Sequence, residues 1–349
     1  MNSPAFVITP SADPDDLRAS ALALAAEGRY AEAIALGTIH NRACPDDELE
    51  RLLVTWRMYA YAAREQTAPD PNWPPAFDDP FPGVVGVPEI PAAKLTTKIL
   101  AGAILHHGAL LVRGLIPPDK AEKLAAGIDQ ALDAFTEWSN DQTTPPSRWF
   151  TAAPVKGFSK IGHNRPWILA GGGAWAADSP RMMFELAELL EWTGLIEMVG
   201  GYLAERPALS IGKTTLRRVP ASLDNTDWHQ DGAFLGKDVR SVNLWLALSP
   251  CGRDASALDV VPRRIPYVVE TGTHGAVFQW SVGPGMVDTL AQETPVASPE
   301  FAAGDALLFD HLFLHRTSLP PGRSKDRWAI ESWMFAPSCY PVDQGPLML

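Results

Sequence analysis

The order of hydrophobic patterns predicts an α+β protein, helices first and then an all-β half that closes into a sandwich or barrel. Three observations carry this. Residues 14 to about 66 repeat apolar side chains at three- and four-residue steps, as in Leu17, Leu22, Leu24, Ile34, Leu49, Leu53 and Trp56. Eight prolines then fall between Pro69 and Pro91, a composition that sustains neither helix nor central strand. From Ala208 onward, short apolar runs alternate with Gly, Pro and Asp turns, the pattern of an all-β unit.

Taken in order, Gly28 ends one N-terminal helix and Tyr30 opens the next. The pair resembles the turn of a single tetratricopeptide repeat. No second copy follows at a 34-residue period, so the pair is expected to cap the main domain rather than form a solenoid. Residues 1–68 are thus read as a helical segment, 69–93 as a Pro-rich linker and 94–349 as the main domain. Lys94–Leu105 reads as a helix, Ala109–Arg113 as a strand and Pro117–Trp138 as a helix with proline in its tolerated first turn. Thr143–Gly173 is irregular, and Arg181–Leu203 is helical again. The expected strands are 209–219, 241–248, 257–261, 276–282, 305–309, 313–317 and 327–335.

The 349 residues carry a formal charge of −12, which argues against a protein built to grip phosphate backbones. Residues 1–80 hold 13 acidic and 6 basic side chains, so this N-terminal stretch carries −7 of that charge. Hydrophobic residues make up 46% of the chain, enough for a substantial core. Cys44, Cys251 and Cys339 form no C-x-x-C pair, the usage of a reducing compartment. The opening Met1–Pro4 lacks the basic and apolar regions of a secretory signal, and no apolar run is long enough to span a bilayer. A cytoplasmic location is expected, without membrane or nucleic acid as partner.

Chemistry gathers in the β half. His229 and Asp231 are two apart, so an extended strand would present both on one face. Two imidazoles and one carboxylate on one face of an octahedron leave the opposite face open, the non-haem Fe(II) arrangement. A lone H-x-D is more often a structural pair. Here it is followed by Gly304-Asp305, by His311 and His315, and by Arg327 at the start of an apolar strand. An arginine in such a setting presents a rigid fork to a carboxylate.

Together, Trp228-His229-Gln230-Asp231, Val242–Leu248, Ala257–Pro262, Gly304-Asp305 through His315, and Arg327 resemble the phytanoyl-CoA dioxygenase family of Fe(II)- and 2-oxoglutarate-dependent oxygenases. The likeness extends to Ala109–Asp133 and spans roughly residues 95 to 337. It implies a double-stranded β-helix (a jelly-roll, cupin-like core) with flanking helices. His229, Asp231 and His315 would hold Fe(II), and Arg327 would bind the distal carboxylate of the cosubstrate 2-oxoglutarate, with Thr317 sharing it. Trp245 would line that pocket, and Thr214 and Thr215 are further candidates for the cosubstrate's other end. His311 competes for the third ligand position. His315 is preferred because its spacing to Arg327 fits the family and because Phe313, His315 and Thr317 share a face. The resemblance further implies hydroxylation of a small organic or lipid-like metabolite with dioxygen, releasing succinate and CO2. Asp231 matters because relatives that halogenate lack this carboxylate.

Two departures set the substrate apart. Arg263-Arg264-Ile265 replaces the usual Gly-Ser-His turn, and about forty residues, Trp280 among them, precede Gly304. Phytanoyl-CoA is therefore not the expected substrate. His163 and the arginine pairs 217–218 and 263–264 are candidate substrate contacts. The alternatives are a metal-binding cupin-like protein without 2-oxoglutarate turnover, or a helical partner-binding module with a degenerate oxygenase domain. The N-terminal helices could also present a protein- or carrier-bound substrate.

Overall fold

The fold is that of a computed structural model and is described for residues 14–155, 158, 165, 168–224, 226–341 and 343–349. Three helices open it: α1 (Pro14–Ala26), α2 (Tyr30–Ala43) and α3 (Asp47–Ala63). The break before α3 follows from Pro45 and from Asp46, whose carboxylate accepts the Glu48 and Leu49 amides as a cap. Ala21, Ala33, Leu49, Leu53 and Trp56 pack together with Phe184 of the main body, so the helices share a core with it.

A buried charge fastens the same interface. Glu50, fully buried, accepts hydrogen bonds from Arg148 (2.7 Å), Arg181 (2.8 Å) and Asn41 (3.1 Å). Arg57 reaches the backbone carbonyl of Met348 at 2.9 Å. Removing one partner from a buried ion cluster strands the others without compensation. Glu50→Ala is expected to cost about 3 kcal/mol in a denaturant titration; a loss within error of zero would show that the helices are not anchored there.

The Pro-rich segment lies along the surface. The Trp73 indole donates to the Tyr202 carbonyl (2.9 Å), and Arg240 donates to the Asp70 carbonyl (2.6 Å). At its end β1 (Glu89–Pro91) adds in parallel to the outer side of β2 (Ala109–Arg113), an edge position where proline is tolerated. Between them lies α4 (Thr97–His107), and after them come α5 (Pro118–Asn140), β3 (Gly173–Trp175), α6 (Pro180–Trp192) and α7 (Leu195–Leu203). The single helical region expected over 181–203 is broken at Gly194, whose φ of 70° is left-handed.

The β half comprises β4 (Ala208–Val219), a helical turn α8 (Gly232–Leu235), β5 (Ser241–Ala247), β6 (Leu258–Val260), α9 (Pro284–Leu290), β7 (Ala306–Phe309), β8 (His315–Thr317), β9 (Arg327–Phe335) and β10 (Pro346–Met348). The large sheet runs β1-β2-β7-β5-β9-β4-β10 with β3 on β4, and β6 pairs with β8 in a second sheet. Strand alternation divides the core. Leu216, Leu244, Leu246, Leu308, Ile330 and Met334 face the helices. Trp245, Ala247, Leu307, Phe309, Ala329 and Trp333 face inward and join Leu258 and Val260 of the small sheet. Two sheets enclosing one apolar interior, with helices on the outer face, make the double-stranded β-helix.

The stretch expected as a strand over 276–282 forms turns instead. The Ser281 hydroxyl bonds to both the amide and the carbonyl of Phe278, so local side-chain bonding displaces a ladder. Gly304-Asp305 has a structural reason for its identity. Gly304 has φ 95°, and a Cβ there would sit 2.1 Å from the Ile116 carbonyl oxygen. Asp305 accepts from the Gly114 and Ala302 amides and from Arg113, tying the entrance of β7 to the end of β2. Among the described residues, no helix is long and apolar enough to cross a membrane.

Candidate metal centre

His229 and His315 are brought together by a two-way backbone bridge: the His229 amide donates to the His315 carbonyl (2.9 Å) and the His315 amide to the His229 carbonyl (3.1 Å). Their ring centroids stand 4.4 Å apart. Asp231 reaches the same point differently from the sequence expectation. Its backbone is helical (φ −62°, ψ −25°) and it starts the turn α8, so the H-x-D pair converges through a turn and not along a strand. Asp231 Oδ2 lies 3.9 Å from His229 Nε2 and 3.7 Å from His315 Nε2. The potential ligand atoms of the three residues all lie within 4.8 Å of one another.

The remaining polar atoms of the group are occupied in a way that suits a cation. His229 Nδ1 is 2.9 Å from the Asp227 carbonyl, and His315 Nδ1 is 3.0 Å from the Phe313 carbonyl. A carbonyl only accepts, so each Nδ1 carries the hydrogen and each Nε2 keeps its lone pair. Burial first, and then the neighbouring His229, push the His315 imidazole down to about 4, which keeps it neutral at physiological pH. Lys213 Nζ lies 3.5 Å from Asp231 Oδ1, holding that oxygen while Oδ2 faces the imidazoles. Two imidazole nitrogens and a carboxylate oxygen converging in this way fit Fe(II).

Residues 217–319 match the family model described as Phytanoyl-CoA dioxygenase (PhyH), a stretch that contains all three of these residues. That segment is similar to the phytanoyl-CoA dioxygenase family. No curated protein matches the sequence. Among solved structures the chain is similar to EctD from S. alaskensis with 2-oxoglutarate and 5-hydroxyectoine, at 13% identity and a TM-score of 0.48, covering 78% of this chain and 87% of that one. It is also similar to AviO1 from Streptomyces viridochromogenes Tue57 (14% identity, TM-score 0.42, 71% of this chain and 98% of that one). A third is the non-heme alpha ketoglutarate dependent carbocyclase SnoK from nogalamycin biosynthesis (12% identity, TM-score 0.43, 72% of this chain and 87% of that one).

Beyond the PhyH segment, β9 supplies the basic residue expected for the cosubstrate. Arg327 is 1% exposed. Its side chain lies over the Trp245 ring at 5.2 Å and makes one long hydrogen bond, 3.4 Å, to the Ala257 carbonyl. Among the described residues, the buried Arg327 Nε and Trp245 Nε1 have no hydrogen-bond partner. Buried donors are normally satisfied, and a bound carboxylate would supply the acceptor that Arg327 Nε lacks. Thr317, half-buried on β8 two residues past His315, shares that residue's strand face.

The two threonines of β4 separate. Thr215 pairs in register with Glu331, which in turn pairs with Trp245, so it faces the interior. Thr214 pairs with Ser332 and through it with Leu244, on the helix-facing side. His311 is placed away from the metal group: its Nδ1 lies 3.1 Å from the Ser241 hydroxyl and its Nε2 3.4 Å from the Lys237 carbonyl. His163 lies outside the described residues.

Three residues near the centre did not stand out in the sequence. Glu331, on the inward face of β9, accepts from Thr215 (3.1 Å) and Arg217 (3.3 Å). Burial alone would raise its carboxyl, but Arg217, Arg327 and these hydrogen bonds pull it down to about 2. Lys213 follows from β4 alternation with Thr215 and Arg217 once the strand's inward face is fixed. Gln230 is fully buried between His229 and Asp231 in the sequence: it donates to the Tyr267 and Leu312 carbonyls and accepts the Val269 amide, so it staples the following loop to that turn.

Proposed function

We propose that this protein is an Fe(II)- and 2-oxoglutarate-dependent oxygenase that hydroxylates a small organic or lipid-like metabolite. The observation that carries the reading is the convergence of His229, Asp231 and His315 at one end of the β-helix interior, in a fold whose interior also holds the buried Arg327. Bound Fe(II) would bring dioxygen, the oxidant, together with 2-oxoglutarate, which would be oxidised to succinate and CO2 as the substrate is hydroxylated.

The chain's own residues do the rest. His229 and His315 each offer Nε2, and Asp231 offers Oδ2, leaving the opposite side of the metal for other ligands. Lys213 fixes the rotamer of Asp231. Arg327 anchors the distal carboxylate of 2-oxoglutarate, with Thr317 beside it and Trp245 closing the wall. Thr215 lies on the same inward face. Thr214, on the opposite face, is left out of this assignment. Glu331 pairs with Arg217 and offsets the positive charge of Arg217 and Arg327 in the interior.

The domain division at 69–93 is proposed on the helical core of α1–α3, with those helices capping the main body through Glu50. Presentation of a carrier-bound substrate by them is a further proposal, supported by the outer Tyr30–Tyr59 ring pair, 5.3 Å apart, in which Tyr59 is half exposed. The free Cys44, Cys251 and Cys339 support a reducing, cytoplasmic setting. A cupin-like metal protein without 2-oxoglutarate turnover has no use for a buried Arg327 with an unpartnered Nε. Purified protein is expected to release succinate from 2-oxoglutarate slowly even without substrate. That release should stop on chelation and return with Fe(II). Release that persists in fully chelated protein would exclude the reading.

A further inference from the structure

The loop between β6 and β7, which departs from the family pattern, is drawn to the metal turn at two points. Gln230 bonds the backbone at Tyr267 and Val269, and the Val282 amide donates to the Trp228 carbonyl at 2.8 Å. These ties set Trp280 edge-on to the His229 imidazole at 5.9 Å and 85°. Phe234, one turn past Asp231, stands 5.9 Å from Trp280 at 88° and 6.3 Å from His229. Phe278 stacks on Trp280 at 5.2 Å, with planes 6° apart. Phe234 is 38% exposed and Phe278 46% exposed. Single exposed aromatics need no explanation; three joined through Trp280, two of them against a proposed metal ligand, do.

Several basic side chains around this wall are already paired. Lys213 lies 3.5 Å from Asp231 and 3.9 Å from the centroid of Phe234. Arg217 is bonded to Glu331, Arg316 to Asp259 (2.9 Å), Arg263 to Glu293 (2.9 Å) and Arg264 to Asp310 (2.5 Å). Among the described residues, these basic groups already have partners, so the wall itself offers rings to a ligand. Two perpendicular rings form a corner in which a flat π-system stacks on one and meets the edge of the other, an arrangement a saturated chain cannot exploit. Three rings are also far less than the roughly 800 Å² per partner of a stable protein interface.

We infer that Phe234, Trp280 and Phe278 form a subsite for a neutral, flat aromatic substrate held beside His229; this rests on the oxygenase reading and names its substrate class. The test uses full-length protein loaded with Mn(II), with 2-naphthamide and its saturated counterpart decalin-2-carboxamide as probes in ligand-observed NMR. Naphthamide is expected to bind at least about tenfold more tightly than the decalin amide. Its signals should broaden further in the presence of Mn(II). Trp280→Ala should remove most of that preference and Trp280→Phe should restore part of it, with Phe234→Ala as a second variant should Trp280→Ala not fold. Equal binding of the two amides, an unchanged preference in the folded variants, or naphthamide binding without Mn(II)-dependent broadening in protein that does bind Mn(II) would overturn the inference. Mn(II) binding is read separately from water-proton relaxation, so protein that binds no Mn(II) would instead overturn the metal assignment beneath it.

Discussion

Asp231→Ala is expected to abolish Fe(II)-dependent succinate formation and to weaken metal binding by more than the roughly 10–100-fold that follows loss of an outer partner. The carboxylate is the one anionic donor in the group, and Oδ2 lies within 4 Å of both imidazole Nε2 atoms. His229→Ala and His315→Ala should behave alike. Lys213→Met provides the graded comparison. It removes the partner of Oδ1 and leaves the three donors in place, so metal affinity should fall within that 10–100-fold range. Isothermal titration with Mn(II) or Fe(II) under argon reads both effects. Turnover that survives Asp231→Ala in folded protein would rule out the proposed ligand set.

Arg327→Gln should act on the cosubstrate and spare the metal. A fully buried guanidinium facing a carboxylate is the kind of contact whose truncation costs about 2–5 kcal/mol, which corresponds to a 30-fold or greater rise in the dissociation constant of 2-oxoglutarate. Metal affinity measured without cosubstrate should stay within about twofold of the parent. Arg327→Lys retains charge but loses the fork, and should recover only part of the affinity. A parallel loss of metal affinity would mean that Arg327 supports the fold around the centre and does not bind the cosubstrate.

The parts of the fold that could be read from the sequence are those set by local pattern. The strand β9 falls at 327–335 as the apolar run predicts, and the turn between α1 and α2 falls at Gly28 because glycine accepts its φ of 78°. Where neighbours decide, local pattern misleads. The run 276–282 alternates like a strand but closes on Ser281. The pair His229–Asp231 looks like a strand face but is bent by the turn α8. Choosing between His311 and His315 was open to sequence reasoning because the alternation Phe313, His315, Thr317 is local. Lys213, Glu331 and the Glu50 cluster were not, because each gains its meaning from a partner at least 18 residues away, set by strand register or helix docking. Gln230 sits between the two motif residues, yet nothing in its spacing tells that its amide holds the loop carrying Trp280.

That loop also explains why family resemblance stops short of a substrate. The match over 217–319 spans His229, Asp231 and His315 and this loop alike, but the wall residues Phe234, Phe278 and Trp280 lie outside the motifs that carry the resemblance.

Anaerobic addition of Fe(II) and then 2-oxoglutarate, followed by visible spectroscopy, tests the central assignment most directly. A metal-to-ligand charge-transfer band should appear only when both are present, should be lost in Asp231→Ala, and should need far more 2-oxoglutarate to saturate in Arg327→Gln. Folded protein that binds Fe(II) yet develops no band at any 2-oxoglutarate concentration would contradict the oxygenase account.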